Sequence, residues 1–111
     1  MKLEIDKQND WTILHLLEPR LDAHNSGELK DRILKLLESG DKQLVIDLSE
    51  VRFIDSSGLG ALLSGYKNAN LHHGSLVLAG PQSRVKSMFE LTRLNQVFDI
   101  YASVAEALAG E

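Results

Sequence analysis

Residues 44–63 read Leu44-Val45-Ile46-Asp47-Leu48-Ser49-Glu50-Val51-Arg52-Phe53-Ile54-Asp55-Ser56-Ser57-Gly58-Leu59-Gly60-Ala61-Leu62-Leu63. Leu44 to Leu48 is a nearly continuous apolar run, the pattern of a central strand covered on at least one face. Val51 to Ile54 reads as its short continuation toward a loop. Beyond Asp55 the period becomes helical, with Leu59, Leu62, Leu63 and Tyr66 on one stripe. A strand that feeds a helix through a short polar loop is the repeating step of an α/β sheet.

The same step recurs on either side. Downstream, His72-His73-Gly74 ends the helix and Ser75 to Ala79 gives another strand. Pro81 stands at a favoured first helical position for a third helix carrying Val85, Met88 and Phe89. Val97 to Tyr101 alternates as a last strand, and Ser103 with Glu106 forms a capping box for a short terminal helix. Upstream, Leu29, Ile33, Leu36 and Leu37 mark a first helix, with Glu28/Arg32 and Asp31/Lys35 as outward pairs. Asn25 and Glu28 have the spacing of an N-terminal cap, and Gly40 is placed to stop that helix. Leu3 to Leu17 reads as a hairpin broken at Asn9-Asp10. The predicted order is ββαβαβαβα, an α/β sandwich whose later strands are mostly parallel and joined by crossovers.

Length and composition agree with one domain over residues 1–111. The chain is 43% apolar and 25% charged, neither a disordered tail nor a fibre. It has no cysteine, which excludes a disulfide framework, a cysteine nucleophile and thiolate zinc sites. A net charge of −4 lacks the electrostatic footprint of a nonspecific nucleic-acid binder. No leader pattern or membrane-length apolar run is present, so the expected location is the cytoplasm, with no membrane and no nucleic acid as partners.

The stretch Asp55 to Gly60 places one carboxylate and two hydroxyls where a strand ends and a helix begins, a position at which α/β folds expose functional groups. The plain structural alternative is a cap, in which Asp55, Ser56 and Ser57 satisfy orphan helix amides and Gly58 and Gly60 allow the turn. A phosphate-cradling loop fits poorly, because Gly58-x-Gly60 is followed by Leu62 and Leu63 with no lysine in place. A serine hydrolase would need a glycine-flanked elbow, whereas Ile54 and Asp55 precede Ser56. A third reading makes a serine of this loop the acceptor of a phosphoryl group delivered by another protein. None of the four histidines stands in a catalytic context; the adjacent His72 and His73 read as a helix end rather than a metal site, and His24 as a loop residue near Asp22. Trp11 reads as hairpin-edge packing, Met88 and Phe89 as core, and Arg84, Lys86 and Arg93 as a solvated basic face.

Asp55-Ser56-Ser57-Gly58-Leu59-Gly60, after an apolar strand and before Ala61-Leu62-Leu63, resembles the signature of the bacterial anti-sigma factor antagonists of the STAS family. The resemblance extends to Leu21-Asp22-Ala23 before the first helix, to Leu44–Leu48 and to Leu76–Gly80. It implies a small mixed sheet with about four helices packed mainly on one face. It also implies a non-enzymatic switch with no cofactor, catalytic residue or metal site of its own. Ser56 matches the family's phosphorylation site, and Ser57 the less used neighbour. Asp22 and Asp55 match the acids beside it, and Gly58, Leu59 and Gly60 complete the partner-binding turn. The implied partners are an anti-sigma factor that is itself a serine kinase and a PP2C-type phosphatase. The family alternative is a subunit of a transport or stress-signalling complex that docks partners through this loop without a phosphorylation cycle.

Overall fold

The hairpin comes first, and its turn explains its register. In the computed structural model, which describes residues 1–110, β1 (Leu3–Gln8) and β2 (Trp11–Leu16) pair antiparallel. They are joined by Asn9 and Asp10 with φ of 51° and 71°. Two successive left-handed residues make a tight turn whose twist matches that of the strands, and Asn and Asp tolerate it.

β2 then pairs in parallel with β4 (Gln43–Asp47), β4 with β6 (Ser75–Ala79) and β6 with β7 (Ile100–Tyr101). The mixed five-stranded sheet thus runs β1-β2-β4-β6-β7. The crossovers are α1 (Ser26–Glu38), α2 (Ser56–Leu71) and α3 (Ser83–Leu91), and α4 (Val104–Ala109) ends the fold. Strand alternation sends Leu14, Leu16, Leu44, Ile46, Leu76 and Leu78 to the face packed by α1, α2 and α3. Ile13, Val45, Val77 and Ala79 face the other way, onto Ala107 of α4. Three helices therefore lie on one face and one on the other, as the family resemblance implied.

Four local expectations are corrected. Val51–Ile54 does not continue the central strand: Val51 N–H donates back to the Leu48 carbonyl, and the amides of Arg52 and Phe53 turn to the Pro19 carbonyl. The chain thereby leaves the main sheet, and β5 (Phe53–Ile54) pairs in parallel with an unforeseen β3 (Arg20–Leu21). Pro81 is not the first helical residue, since α3 is preceded by Gln82 in extended conformation. Gly80 needs a φ of +69° to leave the sheet, and the Gln82 side chain donates to the Ser49 carbonyl at 2.8 Å. The last strand is shorter than Val97–Tyr101, because Leu94–Gln96 forms a 3-10 turn and both Val97 and Phe98 amides bond the Leu94 carbonyl. Asn25 does precede α1, but its side chain makes no cap bond, and Glu28 pairs instead with the Met1 amine at 2.6 Å.

Other signals read as expected. Gly40 takes a φ of +96° after α1, and Ser103 Oγ accepts from Glu106 N–H at the start of α4. Phe98 meets Tyr66 of α2 and Phe89 of α3 edge-on, at 5.4 and 5.7 Å between ring centres. That aromatic trio ties α3 to α2 and so sets where the start of α3 stands relative to the start of α2.

Candidate functional site: the start of the second helix

Buried Ile54 ends β5, and the next residue turns the chain into α2. Asp55 is the N-cap: it is extended, and its Oδ1 accepts from Gly58 N–H at 3.0 Å. One carboxylate performs the capping that the sequence distributed over three residues. Ser56 and Ser57 are exposed, and among the described residues neither hydroxyl makes a hydrogen bond. Beneath them the turn is fixed from below. A Cβ on Gly58 would lie 2.5 Å from the Leu21 carbonyl oxygen and 2.8 Å from Ile54 Cγ1. Glycine here is a condition of α2 docking on β3. Leu59 is only 6% exposed, so it anchors the turn in the core and offers no surface to a partner. Gly60 faces open space and is free of such constraint.

The short β3–β5 pairing brings Asp22 to this turn. Asp55 N–H donates to the Leu21 carbonyl at 3.3 Å, so the residue following Leu21 stands beside the cap. Asp22 Oδ1 accepts from the His24 amide at 3.0 Å, and Oδ2 accepts from Arg20 Nε at 3.3 Å. The His24 amide holds the Asp22 carboxyl below its ordinary value; desolvation opposes it, and the Arg20 hydrogen bond and the charges of His24 and Arg20 add to the lowering. Asp22 is therefore an anion throughout the neutral range. Asn25 secures the bend, accepting from Asp22 N–H and donating to the Arg20 carbonyl. The Arg20 guanidinium lies 4.2 Å above the centre of the Phe53 ring.

Phe53 and Ile54 continue into an open, mainly apolar cleft of ≈ 380 Å³, bounded further by Asp55, Ser56, Arg84 and Met88. Ser56, but not Ser57, opens onto it. Met88, expected in the core, is only partly buried and packs against the core from this rim. Arg84, expected on a plain solvated face, borders the same cleft. The roles of Arg20, Phe53 and Arg84 escaped the sequence reading; an arginine two residues before Asp22 and an Arg84/Met88 pair at i, i+4 were the available signals.

The histidines serve elsewhere. His15 Nδ1 bonds Asp47 Oδ2 at 2.6 Å across β2 and β4, and His72 Nδ1 bonds the Asn68 carbonyl at the end of α2. His24 meets the site through its backbone amide. An exposed, unengaged serine next to the capping carboxylate of Asp55, at the edge of an apolar cleft and near the Asp22 bend, is thus equipped to accept a modification and to seat a partner. It is not arranged as a nucleophile with a base.

The family model for the STAS domain matches residues 2–107. The anti-sigma-B factor antagonist of Bacillus subtilis (strain 168) is 31% identical over 103 residues, which span 92% of this chain and 94% of that relative. The solved anti-sigma factor antagonist SpoIIAA in its unphosphorylated form superposes with a TM-score of 0.81 at 20% identity, over 96% of this chain and 93% of that one. SpoIIAA of Bacillus in its phosphorylated form gives 0.74 at 19% identity, over 97% of both chains. With sheet order, helix placement and nearly the whole length in agreement, the chain belongs to the STAS domain family, alongside the anti-sigma factor antagonists.

Proposed function

We propose that this protein is an anti-sigma factor antagonist, without catalytic activity of its own, that works in the cytoplasm and is switched at Ser56. In the unmodified state the start of α2 docks on a cognate anti-sigma factor, itself an ATP-dependent serine kinase, and a sigma factor is released. Ser56 Oγ then attacks the γ-phosphorus of the ATP held by that kinase. The Oγ–P bond forms, the bond to the ADP oxygen breaks, and the serine proton passes to a base of the kinase. A PP2C-type phosphatase returns the hydroxyl by hydrolysis.

The observation that carries this reading is the division of labour at the turn: Asp55 alone caps α2, which leaves Ser56 exposed and free of structural duty. Phosphorylation adds roughly −1.5 to −2 charges at pH 7 beside Asp55 and close to Asp22. The fold can tolerate this at a helix N-terminus. A partner seated over the turn cannot, since it would have to desolvate a dianion next to two carboxylates.

Pull-down from the native cytosol with wild-type, Ser56→Ala and Ser56→Asp baits, read by mass spectrometry, tests the reading. Capture of one ATPase-type serine kinase by the first two baits, and its loss with Ser56→Asp, is the expected result. Equal capture by all three, or capture of transport-complex subunits, would make the turn a docking surface without a phosphorylation cycle.

A further inference from the structure

Arg84 is the one basic side chain that borders the Ser56 cleft, and its placement has no structural purpose of its own. It lies in the first turn of α3, which contains no acidic residue. A cation at that end of a helix opposes the macrodipole, so local helix stability does not favour it. Among the described residues no carboxylate pairs with it. It is exposed, whereas Met88, one turn further on the same stripe, packs against the core and fixes which face of α3 looks into the cleft. Phe98, wedged between Tyr66 and Phe89, holds α3 against α2. The second arginine near the site is differently employed: Arg20 is already bonded to Asp22 and stacked on Phe53.

We propose that Arg84 is the counter-charge for the phosphoryl group on Ser56, drawing the phosphoserine across the cleft toward α3. This rests on the reading of Ser56 as the modified residue. A guanidinium offers paired donors that match two phosphate oxygens, and it stays protonated at every relevant pH. The charged groups that line the cleft with Ser56 are Asp55 from the cap and Arg84 from α3, while Asp22 with its partners Arg20 and His24 follows Leu21, whose carbonyl accepts from Asp55 N–H. The acids disfavour a second negative charge, and Arg84 is the side-chain cation at the cleft free to offset it, adding to the amides at the start of α2. In that arrangement the phosphoryl group lies over the space walled by Phe53 and Met88, so modification closes the cleft as well as charging its rim.

The test needs no kinase. Phosphoserine is incorporated at position 56 during synthesis, and its second ionisation is followed by phosphorus NMR at low salt in the wild-type, Arg84→Gln and Arg20→Gln backgrounds. Arg84 is exposed, so its replacement leaves the fold intact, which amide spectra verify. The expected result is a phosphate acid dissociation constant at least about threefold smaller in Arg84→Gln than in the wild type, with a smaller change in Arg20→Gln. Equal constants in the wild type and Arg84→Gln, or a larger effect from Arg20→Gln, would overturn the assignment. Failure of Ser56 to be modified in the cell would instead emerge from the capture experiment, so the two ideas fail separately.

Discussion

Gly58 and Gly60 stand two residues apart in one helix, and the fold treats them oppositely. A methyl group at Gly58 collides with the Leu21 carbonyl and the Ile54 stem, which cannot retreat without moving β3 and β5. Gly58→Ala should therefore cost about 1–3 kcal/mol in a denaturant melt, with the loss concentrated at the β3–α2 contact. Gly60 has nothing near it, and there the helix gains from alanine. Gly60→Ala should raise stability by about 0.5–1 kcal/mol while weakening capture in the pull-down, because the new methyl would stand on the exposed surface of the turn that the proposed partner covers. Stability and capture both unchanged would place Gly60 outside the interface. Asp22 carries a pH signature. Its carboxyl sits below the ordinary 3.8 in the folded chain, so its contribution is complete above that value and is lost as the pH falls through the depressed one. Asp22→Asn should accordingly lower stability slightly at neutral pH and leave it nearly unchanged at the acid end, flattening the curve in between, as equilibrium unfolding from pH 6 to 2 would reveal.

Helix α2 depends on one cap and α4 on another, and the two can be probed apart. Asp55→Ala removes the sole side-chain cap of α2 and should cost about 0.5–2 kcal/mol. Ser103→Ala does the same to a helix of only 6 residues that covers Ile13, Val45 and Val77. A helix so short has little stability of its own, so hydrogen exchange should accelerate across α4 while α1 and α2 keep their protection; uniform acceleration would mean that α4 is part of the global folding unit. The two caps also mark what the sequence made legible. Strong periodicity with terminators, as in α1 before Gly40, gives an element its type and its end. The β3–β5 pair has two residues per strand, too few for any period, and depends on Pro19 offering its carbonyl to a distant segment. Val97–Tyr101 has the apolar content of a strand, yet the backbone around Leu94 bonds locally and leaves only Ile100–Tyr101 to pair.

At the scale of the molecule, the site is a meeting of segments far apart in the chain. Ser56 and Asp55 announced themselves because they are contiguous and resemble a known turn, and Asp22 through the same resemblance. Arg84 did not, since only the crossover of α3 brings it to Ser56, and the role of Phe53 did not, since only the pairing of β5 with β3 sets its ring beneath Arg20. The functional claim turns on charge at this one point. Moving a partner from nearly all bound to nearly all free takes about 5.5 kcal/mol, which a dianion desolvated beside Asp55 and Asp22 can supply. The most direct measurement is calorimetric titration of the captured serine kinase with unmodified protein and with protein carrying phosphoserine at position 56. The expected result is binding at least about a thousandfold weaker for the phosphorylated form. Affinities within about threefold of each other would contradict the switch and leave the turn as a constitutive docking surface.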